Sequence, residues 1–172
     1  PDYWGVGAFN DNGQPFTAYV DNVKVLRLGQ TSTGTQSTVV ASTPNGKPVA
    51  VKEQGTFRWN HDLDGVRLWG VWQDDDSAAW VLVTAEYENG RQKGAVGAHD
   101  SLPGSLDVDH PYTIDQTGTI VVTEDSGYQY YQVDSVVNGI IMAKHGDSFP
   151  LTDESWWFTT RASAEEFLAS QT

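Results

Sequence analysis

A chain of 172 residues is long enough to bury a core without staples, and it carries 23 Asp and Glu against 10 Lys and Arg, a net charge of -13. That field repels a phosphate backbone and an anionic bilayer, which excludes nucleic acid and membrane surfaces as partners and leaves proteins, neutral sugars and metal ions. The absence of cysteine excludes disulfides, thiolate nucleophiles and Cys-ligated zinc, and no apolar run approaches the roughly 18 residues of a membrane span.

In chain order, nearly every segment reads as a short strand bounded by Gly, Pro, Asn, Asp or Ser. Trp4–Phe9 and Phe16–Val20 flank the acidic turn Asn10-Asp11-Asn12-Gly13. Val23–Leu28 follows, then a polar stretch over 29–36 with no apolar face, which is expected to be a loop. Thr38–Ala41 and Lys47–Lys52 are separated by Asn45-Gly46, a pair that tolerates positive φ and signals a hairpin. Thr56–Trp59 comes next. The pattern of apolar strand, acidic turn and aromatic strand then returns as Leu68–Trp72, Asp74-Asp75-Asp76 and Ala79–Val83. It returns again as Ile120–Thr123, Glu124–Gly127 and Tyr128–Val133. Each copy has a second half: 47–59 in the first, Lys93–His99 with Pro111–Ile114 in the second, Gly139–His145 with Trp156–Thr159 in the third. Units of this size cannot bury their own apolar faces and must share a core. The tail Ser163–Ala169 predicts the one helix, over 163–170, capped by Ser163 with an acidic first turn and docking Phe167 and Leu168 on the strands.

Three four-stranded units, over 3–62, 65–116 and 118–161, resemble a β-trefoil: a single all-β domain of about twelve strands with three pseudo-repeats. The Gln-x-Trp that ends each unit of ricin-B-type lectins is missing, with Phe57-Arg58-Trp59, Tyr112-Thr113-Ile114 and Ser155-Trp156-Trp157 in its place. The closing Ser155-Trp156-Trp157-Phe158-Thr159-Thr160-Arg161 is similar to the ends of the mycocypins, trefoil protease inhibitors of mushrooms. That resemblance implies a non-catalytic inhibitor, needing no cofactor, whose loops occlude a papain-like cleft. The loop it assigns first is Phe9, Asn10, Asp11, Asn12 and Gly13. The connection after the fifth strand is Gln73, Asp74, Asp75 and Asp76, and it lacks the Asn, Lys or Arg that would direct it to legumain or trypsin.

The alternative is a lectin with pseudo-equivalent pockets. His99, Asp100 and Tyr112 occupy one set of positions, and His145, Asp147 and Trp156 the other, pairing aromatic faces with groups that bond sugar hydroxyls. The acidic turns read as solvated turns rather than calcium loops, because adjacent carboxylates diverge and no spaced Asp-x-Asp-x-Asp-Gly is present. His61 with Asp62 and Asp64, and His110 with Asp107 and Asp109, read as local clustering in an Asp-rich chain. No Gly-x-Ser-x-Gly elbow or His-Glu-x-x-His helix supports an enzyme. Among the tryptophans, Trp4, Trp59, Trp69, Trp80 and Trp157 are expected to fill the interior, with Trp72 and Trp156 exposed. Compartment stays open between cytoplasm and secretion.

Overall fold

The computed structural model describes residues 36–172. The first copy of the repeat, Trp4 and the loop 9–13 lie outside the described residues. A three-stranded antiparallel sheet comes first: β1 (Ser37–Ser42), β2 (Pro48–Glu53) and β3 (Thr56–Trp59), in that order. The Asn45-Gly46 hairpin forms between β1 and β2, with Gly46 at φ 91°.

Eight strands then run as an antiparallel meander: β4 (Val66–Gln73), β5 (Trp80–Glu88), β6 (Arg91–Val96), β7 (Val108–Ile114), β8 (Ile120–Glu124), β9 (Gly127–Val137), β10 (Ile140–Gly146) and β11 (Asp153–Phe158). Each pairs with the next, and β11 closes on β4 through Trp157 opposite Gly70 and Ser155 opposite Trp72. The result is a closed up-and-down barrel, and it overturns the trefoil. No edge strand remains in it. The second and third expected units, 65–116 and 118–161, fall on β4–β7 and β8–β11, consecutive strands of this one barrel. These eight strands close the barrel among the described residues, where the sequence pattern predicts a trefoil of about twelve strands. Residues 48–59, the second half of the expected first unit, form part of the separate small sheet instead.

Connections alternate between the two barrel ends. Loops 60–65, 89–90, 115–119 and 138–139 sit at one end, and loops 74–79, 97–107, 125–126 and 147–152 at the other. The first end is closed. Trp59, fully buried, packs edge-on at 6.4 Å against Trp157 and donates its indole N–H to the Tyr131 carbonyl at 3.0 Å. Its backbone N–H bonds to the Gly118 carbonyl in the β7–β8 turn at 3.1 Å. Val49, Ala50 and Leu63 join Val66, Leu68, Tyr87 and Ile120 in the same core.

Outside the barrel, helix α1 (Arg161–Gln171) lies against β4, β5 and β11. It begins two residues earlier than the sequence suggests. Thr160, not Ser163, is its cap and accepts the Ser163 N–H, and no acidic residue stands in its first turn. The expected docking of Phe167 and Leu168 holds: both pack with Trp69, Val71, Leu82 and Phe158.

Candidate functional site

Alternation along the strands sends Trp72 on β4 and Trp157 on β11 into the barrel, where their rings lie 6.4 Å apart. Trp157 has room because Gly70, its cross-strand partner, carries no side chain: a Cβ there would stand 2.7 Å from the indole. The Trp157 N–H is satisfied by the buried Ser155 hydroxyl at 2.9 Å, so its faces are left free for packing. Tyr131 on β9 meets Trp157 edge-on at 5.8 Å. Burial pushes its phenol up to about 12, with the Glu124 charge acting in the same direction, so the hydroxyl stays neutral.

These three rings wall a cavity of about 170 Å³ together with Val83, Val108 and the exposed Asp107. A dry cavity of roughly 150 Å³ accepts a benzene ring, so this one fits a single-ring ligand. Asp107 is held at the cavity wall by one carboxylate oxygen, which accepts the Val96 N–H at 2.8 Å.

His145, near the end of β10, stands beside this cavity. Its ring stacks on Tyr131 at 5.6 Å and 19°, and lies 6.2 Å from Trp72. On its other side is a polar pocket of about 310 Å³ lined by Gln129, Asp147, Ser148, Thr152 and Asp153. The imidazole thus lines the polar pocket and packs on Tyr131 and Trp72, two of the rings that wall the aromatic cavity. Burial holds its pKa below the usual histidine value, and the Asp153 and Asp75 charges offset this only in part. It is neutral at neutral pH. Two atoms here break the rule that buried polar groups are paired. His145 Nδ1 and Gln129 Oε1 are buried and have no hydrogen-bond partner among the described residues.

No family model, curated protein or solved structure matches this chain. The resemblance to the mycocypins thus stands on the motif 155–161 alone, which forms most of β11 and the start of α1.

The structure separates several residues that the sequence groups together. His99 lies on the outer wall, its backbone N–H bonded to Thr84 and its carbonyl to the Trp69 indole, while Tyr112 sits inside at 5.0 Å from Tyr87. Asp100 reaches Arg161 at the helix start, 3.2 Å away. In the second set, His145 and Asp147 line one pocket, but Trp156 is on the opposite face of β11, packed with Trp80 and Phe167. Trp72 is a correction of another kind. It faces the interior, and Trp69 faces outward beneath α1, because both faces of β4 are covered and polarity does not distinguish them.

Gln73, Asp74, Asp75 and Asp76 open the exposed β4–β5 connection. There one Asp74 oxygen accepts the N–H of Asp76 and of Ser77, each at 2.9 Å, and the Ser77 hydroxyl. Those bonds from Ser77 hold the Asp74 carboxyl below the usual range, as a self-capped turn requires. Asp62 and Asp64 are likewise engaged in backbone caps, and Asp109 in an ion pair with Arg91 at 2.7 Å. Among the described residues no three His, Asp or Glu converge as metal ligands. Gln129 is the site residue that sequence reasoning missed. The signal was present: positions 129, 131 and 133 share one face of a strand, and Tyr131 and Val133 mark that face as inward.

Proposed function

We propose that this protein is a non-catalytic binding protein that takes a small molecule into the open end of its barrel. The observation that carries this reading is the aromatic chamber of single-ring size walled by Trp72, Tyr131 and Trp157; the neighbouring polar pocket adds two buried, unpartnered atoms, His145 Nδ1 and Gln129 Oε1. Leaving such atoms unpaired costs about 1–3 kcal/mol each, a penalty that a ligand with matching polar groups removes. Enclosed, mostly apolar cavities with a few convergent polar groups are where proteins hold small ligands, and barrel mouths are a preferred location.

The test is a thermal-shift and calorimetric titration with neutral single-ring probes, benzyl alcohol, phenol and 2-phenylethanol. At a hundredfold excess over Kd a ligand adds about 2.7 kcal/mol, and Tm rises by several degrees. His145→Ala and Gln129→Ala retain the fold and lose the shift. If none of the three probes shifts the wild type, the reading is wrong.

A second reading, inhibition of a papain-like protease, is supported by the preorganisation of the exposed turn after β4 on the Asp74 carboxylate. A loop already ordered loses less entropy when it enters a cleft. Stoichiometric loss of papain activity, weakened by Asp74→Ala, is its expected signature. Unchanged papain activity at equimolar protein removes it.

A further inference from the structure

We infer that the ligand of this chamber is a small organic cation, an ammonium carried on an aromatic ring or a short alkyl group. The inference rests on the barrel-binding reading above and adds the charge of the ligand. Three observations carry it.

The first is the wall of the chamber. Trp72, Trp157 and Tyr131 present indole and phenol rings to one space of about 170 Å³. Ring faces carry negative electrostatic potential and attract a desolvated cation, tryptophan most strongly. An uncharged ligand gains packing there, but not this attraction. A carboxylate ligand meets repulsion from the same faces.

The second is the chemistry of the polar atoms. Asp107 contributes a carboxylate to the chamber wall, and one of its oxygens is occupied by a backbone N–H. Asp153 and Asp147 line the pocket on the far side of His145. An ammonium group is all donor, and Asp107 is the carboxylate in the lining of the chamber that can accept from it. His145 faces Tyr131, Trp72, Asp153 and Asp75 and is itself neutral, so it sets no positive charge against the ligand.

The third is the distribution of charge between the barrel ends. Loop 74–79, Asp107, the turn 124–127 and segment 147–153 contribute carboxylates at this end and neither a Lys nor an Arg, whereas Asp100 of loop 97–107 is paired with Arg161. At the closed end, by contrast, Lys47, Arg67 and Arg91 are paired with Asp62, Glu86 and Asp109. Carboxylates left without local cations around a mouth concentrate small cations there and speed their capture.

The experiment compares three ligands of one shape by isothermal titration: 2-phenylethylamine, 2-phenylethanol and 3-phenylpropanoate. The expected order is amine first by at least tenfold, alcohol second, carboxylate undetectable. Asp107→Asn retains an acceptor for the Val96 N–H. It is expected to weaken the amine by about fivefold, the scale of a partly exposed charge pair, and to leave the alcohol unchanged. Added salt weakens the amine alone. Equal or tighter binding of the alcohol or the carboxylate overturns the cation inference and leaves the barrel-binding reading standing. Failure of all three ligands to bind overturns both.

Discussion

The two ends of the barrel are built from the same meander and treat their polar atoms in opposite ways. At the closed end every feature described is reciprocated: the Trp59 N–H has the Tyr131 carbonyl, and the buried Gln92 amide donates to the Tyr87 hydroxyl at 2.9 Å. Its cations have carboxylate partners as well. At the open end, His145 and Gln129 carry unpaired buried atoms, and exposed carboxylates stand around them. Burial alone does not produce this difference, since both ends belong to one barrel. The closed end pairs its polar atoms within the fold, and the open end leaves His145 Nδ1 and Gln129 Oε1 without partners among the described residues.

Four measurements press on that contrast, beginning with the largest effect. Trp59→Ala removes a fully buried ring and its hydrogen bond from the closed end. A loss of about 3–5 kcal/mol is expected in chemical denaturation; a loss under 1 kcal/mol would mean that Trp59 does not seal the barrel. Gln92→Leu leaves the Tyr87 hydroxyl without its donor and should destabilise by about 1–3 kcal/mol. His145→Leu should have the opposite sign. It replaces an unpartnered imidazole with an apolar group, and a gain of about 1 kcal/mol is expected together with loss of ligand. Destabilisation instead would show that His145 serves the fold rather than the site.

The smallest effect is a pH slope. A histidine with a folded pKa below its unfolded value contributes stability above the unfolded value of about 6.5. That stability is lost as pH falls through the lowered folded pKa, because the unfolded chain binds the proton more readily. Denaturation midpoints should therefore fall with pH below that value, and His145→Leu should flatten this part of the profile. Affinity for an amine should weaken over the same interval, as His145 becomes charged beside the ligand.

Local features of this fold were legible in the sequence, and closure was not. The Asn45-Gly46 hairpin, the strand–turn–strand copies at 68–83 and 120–133, the helix with its Phe167 and Leu168 contacts and the self-capped Asp74 turn all follow from short-range chemistry. Pairing β11 with β4 joins residues far apart in the chain, and nothing near Trp157 or Gly70 announces the other. One signal did favour a meander. Asn89-Gly90 and Asn138-Gly139 occupy the left-handed region, with φ of 51°, 74°, 52° and 75°, as two-residue hairpin turns demand. They tie β5 to β6 and β9 to β10 as direct neighbours. The site was half legible. His145 and Asp147 share a pocket as the sequence groups them, but Trp156 faces away because successive strand residues point to opposite faces.

Gly70 and Gly94 carry a consequence for how such a chamber changes over generations. A Cβ at Gly70 would drive into the Trp157 indole, and one at Gly94 would stand 3.2 Å from the Thr84 carbonyl and 3.6 Å from Val108. Every glycine codon is a single base change from an alanine codon. One point mutation at either position therefore changes the space inside the barrel, by displacing the Trp157 ring at Gly70 or the Thr84 backbone at Gly94. A lineage carrying this barrel has a one-step mutational route to a different interior size, at the cost of moving the Trp157 ring or the backbone of β5.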